Sequence, residues 1–409
     1  MPRGELTSAL LFLLLLPSAL QAQDYDGYFS TLFSVMPDVV PAEGGQPVTE
    51  LRSRLFVEGL LNPGPSLHIR AGVFVDALVA DRDPLGSRGT STDALIRPAD
   101  LYAEYRSAAF DVRAGMSRIV WGRLDEFQPT DVVNPLDLSR FIFEGRSEAR
   151  LPVALVRGRL FLPGGSTLEG IVVPAFRSGR FDQLDEDTSP FTLAPVGVRV
   201  RHAPGTSWGN VQGGARFTST AGRVDWAVSA WRGFESFPTY VLQPSMPEPS
   251  PLIPPRYDEV FPRFTMIGAD FETARGPWGL RGEAAWFDTV TPRSFEVGIG
   301  ADRRAGSYRV AINAIVSHAD ETDVTFVGWA ERSFARETRS GRLLAVYDPA
   351  DETAFVRGIA MLSLRDNLSL EASAGWIAGQ AGGISQGGAD VLALLSSRDF
   401  LYMRLKVHF

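Results

Sequence analysis

Apolar and polar residues alternate with a period of two along nearly the whole chain, in segments of about ten residues, the length of a tilted membrane strand. From Leu67, residues Leu67, Ile69, Ala71, Val73, Val75, Ala77 and Val79 share one face, while His68, Arg70, Gly72, Phe74 and Asp76 share the other. The same division recurs from Val224, from Tyr308 and from Leu368, where Leu368, Leu370, Ala372, Ala374 and Trp376 alternate with Ser369, Glu371, Ser373 and Gly375. A soluble sandwich strand also alternates. The number of such segments and the charges on their polar face point instead to a barrel with a wet interior and an apolar outer face against hydrocarbon. After residue 22, every apolar stretch meets a charge, a Gly or a Pro within a few residues, so no spanning helix is expected.

Turn signals divide the chain further. Tight turns are expected at Asn62-Pro63-Gly64, Ser107-Ala108-Ala109, Pro163-Gly164-Gly165, Ala221-Gly222, Arg275-Gly276-Pro277, Arg304-Ala305-Gly306 and Arg365-Asp366-Asn367, with another near Ala335. Longer connections fall near 80–98, 121–150, 178–208, 234–260 and 378–397, as when one rim of a barrel carries short turns and the other long loops. Seventeen alternating runs follow Leu51, and a weaker one spans Tyr28 to Val35. Single-chain bacterial barrels have even strand numbers. The expected fold is therefore all-β, a transmembrane antiparallel β-barrel of 16–18 strands, forming a single domain over residues 23–409.

Residues 1–22 read as a secretory signal peptide: Arg3, the apolar run Leu10 to Leu16, Pro17 and a small-residue exit ending at Ala22. A bacterial envelope protein is implied, and the expected location is the outer membrane. The chain contains 40 Lys plus Arg against 48 Asp plus Glu, a net charge of −8, which disfavours a nucleic-acid partner. Cysteine is absent, removing disulfides, thiolate catalysis, iron–sulfur ligation and lipoprotein acylation. Lys406 is the only lysine, which argues against Schiff-base and phosphate-loop chemistry. Forty Gly and 28 Pro supply the turns.

The final strand, Phe400 to Phe409, sets Leu401, Met403, Leu405, Val407 and Phe409 against Tyr402, Arg404, Lys406 and His408. It resembles the terminal strand of bacterial outer-membrane barrels, and the resemblance implies that Phe409 is an insertion signal read by the barrel-assembly machinery. Arg113-Ala114-Gly115, Trp121-Gly122 and Asp131-Val132-Val133-Asn134-Pro135 resemble an uncharacterised porin-like family of Gram-negative-type outer-membrane barrels, in which a strand ending W-G precedes a D-x-x-N-P loop. Asp225 to Ser229 and Tyr347-Asp348-Pro349 extend this likeness, scattered over roughly residues 100 to 375. It implies a barrel and no particular substrate.

The polar register places Arg52, Arg54, Glu58, His68, Arg70, Asp76, Glu104, Arg106, Asp111, Arg113, Arg281, Glu283, Arg309, Asn313, Glu371 and Arg404 inside. Of these, Arg52, Arg54, Arg70, Asp76, Glu104, Arg106 and Arg113 are the candidate pore lining. Opposed charges would set a transverse field on a permeant, or else pair across strands and stiffen the barrel. The 122–150 connection carries Asp125, Glu126, Asp131, Asn134, Asp137, Arg140, Glu144, Arg146, Glu148 and Arg150 among Phe127, Phe141 and Phe143. It is either a packed surface loop or an inward-folded constriction, in which Asp125, Glu126, Asp131, Asn134, Asp137 and Arg140 would narrow the lumen.

Other segments offer less. The acidic tip Asp182, Asp185, Glu186 and Asp187 lacks calcium-loop spacing and reads as a solvated charge run. The proline-dense stretch from Pro238 to Pro255 is expected to be extended and stiff, over the mouth or against a partner. Gly383-Ile384-Ser385-Gln386-Gly387 matches G-x-S-x-G without the strand and helix a nucleophile elbow needs. His68, His202, His318 and His408 are far apart in sequence; barrel closure brings only His68 and His408 into the same region, without a nucleophile. No catalytic residue, cofactor or metal is expected. The function expected is a porin-like channel for passive diffusion of small solutes, with outer-membrane lipid, lipopolysaccharide and a small-molecule permeant as partners. The alternatives are a non-conducting structural, adhesion or lipid-handling barrel and, behind it, a barrel hydrolase.

Overall fold

The computed structural model describes residues 24–37, 48–82, 89–138, 145–180, 195, 197–243, 255–289, 293–319, 321–379 and 398–409. In chain order the strands are β1 (Asp24–Met36), β2 (Val48–Leu61), β3 (Leu67–Arg82), β4 (Gly89–Arg106), β5 (Phe110–Ser117), β6 (Val153–Phe161), β7 (Thr167–Val173), β8 (Val198–His202), β9 (Gln212–Ala221), β10 (Val224–Phe234), β11 (Thr239–Leu242), β12 (Arg256–Val260), β13 (Arg263–Arg275), β14 (Trp278–Asp288), β15 (Ser294–Ala305), β16 (Tyr308–His318), β17 (Thr322–Phe334), β18 (Arg339–Asp348), β19 (Thr353–Arg365), β20 (Leu368–Ala378) and β21 (Phe400–His408). All but β8, β11 and β12 form one 18-stranded antiparallel sheet. It closes on itself because β1 pairs with both β2 and β21. The weak run near Tyr28 is thus the strand that completes the ring, and the larger of the two expected strand numbers holds.

Side-chain burial follows the period of two. Along β3, Val75 and Val79 point out, while Phe74, Asp76, Leu78 and Ala80 are buried inside. Along β21, Leu401, Met403 and Leu405 are exposed, and Phe400 and Tyr402 are buried. Large apolar side chains left exposed on strand after strand, among them Phe33, Ile267, Ile299, Ile312 and Leu343, give the outer face the character that hydrocarbon requires. All the expected tight turns are present, at 62–66, 107–109, 162–166, 222–223, 276–277, 306–307, 335–338 and 366–367, on one rim.

The opposite rim differs from expectation in two places. The connection expected over 80–98 is mostly paired strand: β3 and β4 run on as a ladder to Arg82 and Gly89. A register shift between Ala71 and Val73, opposite Pro98 to Leu101, inserts an extra residue. Such a bulge breaks the alternation and tolerates Pro98, so the segment reads as a loop in sequence. The 174–211 and 235–262 connections contribute a small separate sheet, in which β12 pairs antiparallel with β11 and parallel with β8. These four- and five-residue strands are too short for alternation to reveal.

The barrel interior is not polar throughout. Leu32, Met36, Ile315, Val327, Leu344, Phe355, Ile377 and Phe400 form one apolar cluster. Val153, Leu155, Ile171, Val173, Trp231, Phe264 and Met266 form a second, joined by Ile119, Trp121 and Val133 from the β5–β6 connection. Burying those three side chains draws the connection into the barrel.

Candidate functional site

The expected lining residues all sit in the inward register, but they are paired more completely than a bare row of charges would be. Asp76 accepts from Arg54 and, at 3.0 Å, from Arg97. Arg70 donates to Glu58 at 2.7 Å, and Arg52 lies 3.6 Å from Glu50. Glu104, fully buried, is held by Arg106 at 2.7 Å, Arg113 at 3.0 Å and Arg157 at 2.7 Å. Register explains the pattern. Arg106, Asp111, Arg159, Glu169 and Arg216 stand opposite one another on successive strands as a row of alternating sign. Cross-strand opposite charges stabilise a sheet, and here they do so inside it. Arg97, Arg157, Arg159, Glu169, Arg216 and Asp270 lie outside the candidate lining read from sequence, although their register beside the named charges carries the signal.

The described parts of the β5–β6 connection, 118–138 and 145–152, enter the barrel. Asn134 fixes its base: its Oδ1 accepts the Ile119 N–H at 2.7 Å, and its Nδ2 donates to the carbonyls of Leu151 at 2.7 Å and Ser117 at 3.2 Å. Asp131 accepts the Trp121 N–H at 3.3 Å and pairs with Arg150 at 2.6 Å and Arg146 at 3.4 Å. The Trp121 ring meets Trp231 edge-on at 5.8 Å, and its Nε1 donates to Glu169. The D-x-x-N-P and W-G pieces are therefore two halves of one lock.

Beyond the lock, the segment reaches the wall across the lumen. Arg123 donates to Asp270 at 2.6 Å and Glu272 at 3.1 Å on β13. Burial opposes the Arg123 charge, but those two carboxylates outweigh it and raise its basicity above the ordinary arginine value. Asp125 accepts from Arg281 at 3.2 Å and from the Trp329 indole at 3.0 Å, and Glu126 accepts from Arg342 at 3.3 Å. Phe127 packs against the first apolar cluster. A one-turn helix, Arg146–Ala149, follows. Its Glu148 lies within Coulombic range of Lys406 and Tyr28, and Asp137 within range of Arg52. Acidic groups of the inward segment thus act electrostatically on cationic groups of β2 and β21.

Arg140, Phe141, Phe143 and Glu144 lie outside the described residues, as do residues 1–22, the acidic tip, Ser385 with its glycine-rich surroundings, and much of the proline-dense stretch. His68 bonds Asn62, and the His408 ring lies tilted against Tyr28 at 5.8 Å. Among the described residues no group of three or more His, Asp or Glu side chains is arranged to hold a metal. Phe409 ends the chain beside β1, exchanging backbone hydrogen bonds with Gly27 at 3.0 and 3.1 Å.

No family model and no curated protein matches the chain. Solved structures do. OccAB3 of Acinetobacter baumannii aligns at a TM-score of 0.53 with 8% identity, covering 94% of this chain and 98% of that one. The low-pH structure of Pseudomonas putida OprB gives 0.43 with 6% identity over 100% and 98%. A mutant of the Rh. blastica porin gives 0.41 with 12% identity over 94% and 99%. The likeness to OccAB3 extends the closed-barrel architecture over almost the whole of both chains, and what it carries is the fold.

Proposed function

We propose that this chain is an outer-membrane channel through which small polar solutes diffuse passively, a member of the porin-like barrels that the W-G and D-x-x-N-P pieces resemble. The observation that carries this reading is the Arg118–Pro152 connection. It leaves the rim, is locked by Asn134 and Asp131, and crosses to β13, β14, β17 and β18. Large barrels enclose channels, and an inward loop is the means of narrowing one. In this reading Arg52, Arg54, Arg404 and Lys406 face Asp137 and Glu148 across the path. Asp76, Glu104, Arg106 and Arg113 stiffen its wall, and Asp125, Glu126, Asp131 and Asn134 hold the constriction in place. A leader ending at Ala22 and recognition of Phe409 by the assembly machinery complete the proposal, with lipid and lipopolysaccharide around the barrel.

Planar-bilayer recording of the purified, folded barrel is the test. Stable unitary steps that grow with salt concentration are expected. Silence from folded protein would favour the second reading, a closed structural barrel, for which the three arginines on Glu104 are the supporting observation.

A further inference from the structure

Glu283 on β14 is 3% exposed, and it forms no ion pair with an arginine among the described residues. Its carboxylate is instead surrounded by the inward segment. Oε1 accepts the backbone N–H groups of Arg123 and, at 2.5 Å, of Leu124. Oε2 accepts the Thr130 hydroxyl at 3.0 Å and the Thr130 N–H at 3.3 Å. A buried carboxylate without a counter-cation is tolerated only where such donors replace its hydration. Those N–H groups, in turn, gain an acceptor at a place where the chain has neither helix nor ladder to supply one.

Gly122 makes the approach possible. A Cβ there would lie 2.7 and 2.9 Å from the two Glu283 oxygens and 3.0 Å from the Thr130 hydroxyl, at a φ of +90° that L side chains rarely adopt. The remaining ties across the lumen, from Arg123, Asp125 and Glu126, run through side chains with several rotatable bonds, and they fix charge more than backbone. Leu124 is the exception in kind, an apolar contact over Gly298 and Gly300.

We propose that Glu283 is the positioning residue that pins the backbone of residues 122–131 to the far wall and so sets the width of the path. The part concerning width rests on the channel reading; the pinning does not. Hydrogen exchange of the 122–131 peptide and unitary conductance are measured on the full chain, unchanged and as Glu283→Gln, Glu283→Ala and Gly122→Ala. Folding of each is checked by heat-modifiable electrophoretic migration. Exchange is expected to rise at least about tenfold in Glu283→Ala and Gly122→Ala, as for loss of a charge-assisted hydrogen bond, and less in Glu283→Gln, which keeps one acceptor oxygen.

Combining Glu283→Ala with Gly122→Ala is expected to add little, because both remove the same contact. Conductance is expected to rise about twofold in the released forms as the narrowest section widens. Unchanged exchange in folded Glu283→Ala overturns the pinning. Faster exchange with unchanged conductance overturns its control of width. Faster exchange in a barrel that is silent in every form supports the pinning and defeats the channel reading.

Discussion

At the scale of single residues, the side chains that matter most are those whose polar atoms have no substitute partner. Asn134 is 4% exposed and serves three backbone groups from separate parts of the chain. Asn134→Ala is expected to destabilise the barrel by about 1–3 kcal/mol through the stranded Ile119 N–H alone, read as a lower urea midpoint. Asn134→Asp is expected to do no better, because it keeps the acceptor but turns a carboxylate toward two carbonyls. Glu235 follows β10 at the long-loop rim, where burial, and then the charge of Glu296, push its carboxyl up from 4.5 to about 7. The folded state therefore holds this proton more tightly than the unfolded state, and stability falls as pH rises. The penalty is absent below about pH 4.5 and complete above about pH 7. Glu235→Gln is expected to leave stability unchanged at pH 4 and to raise it at pH 8; equal urea midpoints for the two proteins at pH 8 would contradict this.

At the scale of elements, the hairpin turns show which features can be read from sequence. Gly222, Gly276 and Gly306 adopt φ values of 65°, 59° and 61°, the left-handed conformation that makes glycine a turn signal. The β17–β18 turn uses Ala335, Arg336 and Glu337 at 48°, 58° and 69° without a glycine, so it is placed by hairpin spacing alone. Left-handed backbone costs a residue with a Cβ roughly 1–2 kcal/mol, whereas glycine adds about 0.4–1 kcal/mol of unfolded-state entropy. Glu337→Gly is thus expected to stabilise the hairpin by about 0.5–1 kcal/mol, the difference between those terms, as a higher urea midpoint. The strands were legible because burial on one face imposes a period of two. The β3–β4 bulge was not, because one extra residue erases that period. The inward course of the 118–152 connection could be posed from its charges and phenylalanines. Choosing it over a surface loop needed Trp231, Phe264 and Met266, apolar residues in the polar register whose partners are distant in sequence.

At the scale of the whole molecule, charges pair between neighbouring strands along much of the wall, and in one part of it they also act between the wall and the inward segment. Rows such as Arg106–Asp111–Arg159–Glu169–Arg216 cancel locally and present little net field to a solute. Arg52 and Lys406 on the wall lie within Coulombic range of Asp137 and Glu148, respectively, on the inward segment. In the proposed channel, a field between such opposed groups acts on whatever passes between them, so ion preference there is expected to depend on these residues and to be insensitive to the paired rows. A unit charge in water is worth about 1 kcal/mol at roughly 4 Å, or about fivefold in the local ratio of anion to cation. Glu148→Gln is therefore expected to move the reversal potential in a potassium chloride gradient toward anion preference, and Lys406→Gln toward cation preference, each by up to about fivefold in permeability ratio. Both shifts are expected at low ionic strength and should disappear near 1 M salt, where the screening length falls to about 3 Å. Shifts of the same sign in the two variants would mean that these charges do not oppose each other across the path; shifts that persist at 1 M salt would mean that the groups act at closer range than the Coulombic field.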